Sequence, residues 1–203
     1  MDKYSDIRKV VREVLNEISS KKELNDLSNL ILLSKSILSK DGGVFLIYNP
    51  KTKEPIGYIS FSYYAPADVY SIGGAYSEHG YGPLLYEMAM TYVYPNGISL
   101  SQDGGTSGDA LSVWQKFVQR NDVKKESINR SFTSDKEEDL LGGCEGDEEC
   151  LKRVSYVIDL HNTKFILSKD KNQLQKLINI GREFAINNNI SDKDIEYMLW
   201  DLE

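Results

Sequence analysis

Val69-Tyr70-Ser71-Ile72-Gly73-Gly74-Ala75-Tyr76, running into Ser77-Glu78-His79-Gly80-Tyr81-Gly82-Pro83 and then Leu84-Leu85-Tyr86-Glu87-Met88-Ala89, decides how this chain is read. The first part has the β-branched and aromatic content of a strand. Its internal glycine pair marks a bulge, or a place where another backbone or a ligand comes close. The last part reads as a helix from Leu84 to Tyr92. Strand, glycine loop and helix in that order place unpaired backbone N–H groups and the positive end of the helix dipole beside a flexible turn, which is where an anion is stabilised. Gly80-x-Gly82 by itself also serves tight turns for conformational reasons alone, and that alternative stays open at this level.

Upstream, Val44-Phe45-Leu46-Ile47-Tyr48 and Ile56-Gly57-Tyr58-Ile59-Ser60-Phe61-Ser62 flank a polar turn through Asn49-Pro50 and read as a hairpin. Leu24 to Leu38 gives a helical pattern ended by Gly42-Gly43. Ile7, Val10, Val11, Val14, Leu15 and Ile18 form the stripe of an amphipathic first helix capped by Ser5.

Downstream come a short strand, Ile98 to Ser101, a polar loop through Asp103-Gly104-Gly105, and a helix capped by Ser107 and bearing Ala110, Leu111, Val113, Trp114, Phe117 and Val118. Residues from about 121 to 153 read as an acidic insertion. Val154 to Leu160 and Lys164 to Leu167 read as two closing strands, and Gln173 to Ile186 and Asp192 to Leu202 as terminal helices. The expected fold class is α+β, a mixed and mostly antiparallel central sheet flanked by helices. A domain over 1–170 is expected to carry a helical appendage over 171–203.

With 203 residues, 40% hydrophobic and 27% charged, the chain is long enough for a real core and ordinary in composition. Its apolar runs fall far short of the roughly 18 consecutive residues that a membrane span needs, and an intracellular location is expected. Net charge is −7, and the segment from Asp135 to Glu149, eight acids against Lys136, accounts for all of it. No basic surface for a nucleic-acid backbone is expected, and like charges crowded in one run favour a solvated stretch. Cys144 and Cys150 lie in or beside that stretch at a spacing unlike a zinc half-site. Free thiols are the expected state, a disulfide-closed loop the alternative, and no metal site is assigned.

The order of elements, with Ser77-Glu78-His79-Gly80-Tyr81-Gly82 after a bulged strand and Ser107-x-x-Ala110-x-x-x-Trp114 on the next helix, resembles the GNAT acetyltransferase superfamily. The run Gly80-Tyr81-Gly82-Pro83-Leu84-Leu85-Tyr86 looks like that of bacteriophage-encoded GNAT-like proteins. The resemblance covers about residues 44 to 120.

It implies a GNAT-like sheet and binding of acetyl-CoA, with Tyr76, Gly80, Tyr81, Gly82 and Leu84 as cofactor-binding residues. It also implies transfer of acetyl to a primary amine on a small molecule or a protein. Glu78 and His79 flank the place where the thioester would sit and are the candidate proton acceptors; solvated loop residues are the plainer alternative. Asp103 is the candidate amine-binding carboxylate, with loop capping as its alternative. Three positions depart from the family pattern: Ser77 replaces the opening Gln or Arg, Ser107 replaces an Asn, and Trp114 replaces the Tyr that donates a proton to the leaving thiolate. Tyr81 and Tyr86 are alternative acids. Pro83 removes one amide donor while suiting a first helical turn.

These departures support a second expectation, a catalytically inactive virion or assembly component that docks through its terminal helices. The location would then be the host cytoplasm or the virion.

Overall fold

Two largely apolar runs between Gly42 and Tyr64, the first buried without interruption from Gly43 to Tyr48, fold into the expected hairpin, β2 (Gly42–Asn49) and β3 (Glu54–Tyr64). The Asn49 side chain accepts the Lys51 N–H at 3.0 Å and so fixes the turn. This computed structural model describes residues 23–36, 42–78, 80–100, 107–128, 148–169, 171–200 and 202. The amphipathic segment from Ser5 to Ile18, His79, Asp103, Cys144 and most of the acidic run lie outside the described residues, as does the side chain of Cys150.

Ahead of the hairpin the structure corrects the expected helix over Leu24 to Leu38. A 3-10 turn, Leu24–Leu27, is followed by a strand, β1 (Ile31–Ser36), antiparallel to β2. The reason is burial on two faces. Leu32 joins the apolar layer of Phe45 and Ile47, while its neighbour Leu33 joins Leu46 and Tyr48 on the opposite face. A strand with both faces covered shows a continuous apolar run, which periodicity alone does not separate from a helix.

β4 (Val69–Ser77) pairs antiparallel with β3. Ser60 faces Gly74 and Phe61 faces Ile72, so Gly73 is the extra residue of a bulge, at the glycine pair where the sequence placed one. Helix α1 (Gly82–Val93) then leads to β5 (Ile98–Ser99), which lies parallel to β4. Helix α2 (Gly108–Gln119) and strand β6 (Lys124–Ser127) follow.

Helix α3 (Glu148–His161) takes the place of the expected strand over Val154 to Leu160. The β-branched run there fits either period, and periodicity alone does not choose between them. β7 (Thr163–Ile166) inserts between β5 and β6. Among the described residues the result is a seven-stranded sheet in the order β1-β2-β3-β4-β5-β7-β6, antiparallel except at β4 and β5. The class is α+β, as expected.

The terminal helices α4 (Lys171–Asn187) and α5 (Asp192–Trp200) take opposite faces of the β1 side of the sheet. Leu174 and Ile178 of α4 join the layer that α1 covers, and Ile195 of α5 joins Leu33, Leu46, Tyr48 and Tyr58. No helix among the described residues is long and apolar enough to cross a membrane.

Candidate functional site

β4 is longer than the parallel partner it is given. Only Tyr70 and Ser71 pair with β5, and Ser71 Oγ donates to the Leu100 carbonyl at 2.9 Å where the two strands part. Beyond that point the β4 edge from Ile72 to Ser77 has no strand beside it among the described residues. An open cleft of about 90 Å³ lies there, bordered by Ala75, Tyr76 and Ser77 of the strand, Gly82 at the start of α1, and Ser107 and Asp109 at the start of α2.

The turn into α1 uses part of the amide supply that the sequence promised. The Glu78 N–H donates to the Ile56 carbonyl at 2.9 Å, and the Tyr81 N–H returns to the Glu78 carbonyl at 3.3 Å. Gly80 holds a φ of +75°, a left-handed conformation that suits glycine. The first helical bond runs from the Leu85 N–H to the Tyr81 carbonyl at 3.0 Å. Helix geometry leaves the preceding N–H groups without partners. With Pro83 lacking one, Gly82 and Leu84 are the two donors in the first turn that have no partner among the described residues. At Gly82 the strand comes close: a Cβ would stand 3.2 Å from Ser77 Oγ.

The predicted site residues therefore divide. Tyr76 and Gly82 border the cleft, and Gly80 takes the left-handed position of the turn that leads into α1. The side chains of Tyr81 and Leu84 are buried in the core, so any contact they make with a ligand is limited to backbone, and the Tyr81 amide is already engaged. Glu78 is exposed on the turn just after β4. His79 and Asp103 are outside the described residues.

α2 contributes the second wall. Ser107 caps it as expected, its Oγ accepting the Ala110 N–H at 3.2 Å. Two helix starts thus border one cleft. Asp109 also borders it, an acid in the first turn of α2 that complements that helix dipole and offsets the attraction for an anion. Asp109 is a cleft residue that the sequence did not single out, although its place two residues after the Ser107 cap was a usable signal.

Tyr86 forms part of the cleft lining and is 4% exposed, yet its hydroxyl has no hydrogen-bond partner among the described residues. Burial pushes its pKa up to about 12, so the phenol holds its proton through the neutral range. The ring is fixed edge-on against Trp114, with centroids 5.0 Å apart. Trp114 itself is 1% exposed and packs on Phe165 at 4.7 Å, so it is core rather than a stacking surface for a ligand ring. On the far side of α1, Glu87 pairs with Arg120 and with Lys169, tying the helix to the end of α2 and to the segment after β7.

Among the described residues no group of His, Cys, Asp and Glu is placed to hold a metal ion. Comparison of the chain with family models, with curated proteins and with solved structures found no match.

Proposed function

We propose that the cleft beside β4 takes acetyl-CoA and that the chain is a GNAT-like protein that transfers the acetyl group to a primary amine. The observation that carries this reading is the parting of β4 from β5 directly opposite the starts of two helices. A free strand edge offers main-chain donors and acceptors to a ligand arm containing amides. The Gly82 and Leu84 N–H groups, with the Ser77 hydroxyl, suit a diphosphate. The fit is narrower than the sequence suggested, because Tyr81 and Pro83 contribute no amide.

When bound, acetyl-CoA supplies an acyl thioester, whose C–S bond breaks as the C–N bond forms. The chain's part is to position the groups and handle protons. Tyr86 holds a proton at Oη in the wall of the cleft and is the donor to a developing thiolate, a role that the indole of Trp114 cannot fill. Glu78, exposed on the turn that follows Ser77, is the acceptor for the amine proton.

Two variants test this. Gly82→Arg places a side chain in the anion path, and calorimetric titration with acetyl-CoA is expected to show binding weakened at least about tenfold, a loss of about 1.4 kcal/mol. Tyr86→Phe removes one hydroxyl that has no partner among the described residues, so melting is expected to change little. Amine acetylation is expected to fall about 100-fold, the lower end of what a positioned acid contributes. Unchanged turnover in Tyr86→Phe removes that residue from the mechanism.

A second reading has its own observation. Tyr197 and Trp200 of α5 stand edge-on with centroids 5.5 Å apart while 47% and 68% exposed, an aromatic pair suited to contact with another protein. No heat of binding with millimolar acetyl-CoA, together with a partner lost in Trp200→Ser, favours a scaffold role on the same fold.

A further inference from the structure

The sheet layer shared by α1 and α4 follows a regular apolar pattern that fails at three positions, and all three border one cavity. On β1 the inward positions run Leu32 then Ser34, and on β2 they run Ile47, Phe45, then Gly43. On α4 the stripe runs Leu174, Ile178, then Arg182, where helical spacing calls for another apolar side chain. Ser34, Gly43 and Arg182 surround a space of about 160 Å³ at the opposite end of α1 from the cleft described above. Where a consistent core pattern breaks at several convergent positions, function is the usual reason.

The chemistry of the space is mixed. Gly43 lets the Phe61 ring lie across β2, since a Cβ there would stand 3.0 Å from the ring. Phe45, Phe61 and Tyr92 form a three-ring cluster beside it, with centroids 5.4 to 5.9 Å apart. Neither the Arg182 nor the Ser34 side chain has a hydrogen-bond or ion-pair partner among the described residues, whereas the Lys35 side chain is committed to Glu196. A planar guanidinium with free donors matches a carboxylate, and the volume is close to that of an engineered cavity, about 150 Å³, that accepts a benzene ring.

We infer that this cavity binds a small organic acid, with a ring-sized apolar body against the aromatic floor and its carboxylate on Arg182 and Ser34. The site is independent of the acetyl-CoA reading, and Gly82→Arg leaves it untouched.

Titration of the full chain with benzoate, followed by calorimetry or by amide shifts of Ser34 and Gly43, tests it. Saturable binding is expected, about tenfold weaker for neutral benzamide and for Arg182→Met, which keeps the apolar stem and loses the charge. Ser34→Leu restores the apolar pattern and fills the space; it is expected to raise the melting temperature and abolish binding. Absence of saturation at 10 mM benzoate (about 10 mM being the weak limit for a site of this size), or equal binding of benzoate by Arg182→Met, overturns the assignment.

Discussion

Trp114→Ala is expected to lower stability by about 4 kcal/mol, the range for emptying a large aromatic site in a packed core. The indole is nearly fully enclosed, with Phe165 at 4.7 Å, Tyr86 at 5.0 Å and Phe117 at 5.9 Å between centroids. It joins α2 to α1 and to β7, three elements whose neighbours fill the gap poorly, so most of the cavity persists after truncation. A melting temperature lower by about 10 °C follows for a chain of this length. Trp114→Phe keeps a ring in place and is expected to lose less than half as much. A loss under 1 kcal/mol in the alanine variant, about what a surface change gives, contradicts the core role of Trp114.

Gly181→Ala is the second large effect, and here the sign decides. In a solvated helix interior, alanine stabilises by up to about 1 kcal/mol over glycine. In α4 a Cβ at position 181 would stand 1.8 Å from the Leu32 carbonyl oxygen, a main-chain atom of β1 that cannot swing aside. The helix would have to lift off the strand, breaking the contacts of Leu174 and Ile178 with the same layer. A loss of about 3 kcal/mol is expected, at the upper end of overpacking effects, and chemical denaturation measures it directly. A stabilised variant means that α4 does not lie on β1 as described.

What the sequence disclosed and what it hid follow from the same physics. The bulge at Gly73, the cap at Ser107 and the hairpin around Asn49 were legible because each depends on a local backbone requirement that one or two residue types satisfy. β1 and α3 were misread because their apolar residues fit two periods, and only their tertiary neighbours choose between them. Leu32 and Leu33 are buried in different layers, and no sequence window contains the helices that cover both.

The site was half legible for a related reason. Gly80 and Gly82 announced a turn and a close approach, but whether an amide is free depends on its acceptor. The Glu78 carbonyl takes the Tyr81 N–H through a turn that the sequence does not spell out. Tyr86 gained its weight only when the fold buried it beside Trp114 at the cleft wall. Ser34, Gly43 and Arg182 lie on three separate elements, and nothing in the linear order joins them.

The most direct measurement is an amide-resolved NMR titration of the intact chain with coenzyme A, reading the Gly82 and Leu84 N–H signals. If the diphosphate sits where these two donors open into the cleft, both signals move downfield together and saturate, while those of the α5 surface around Trp200 stay still. Coenzyme A that leaves both amides unmoved at saturating concentration, or that shifts only residues away from the start of α1, contradicts the cofactor site and leaves the chain with the fold alone.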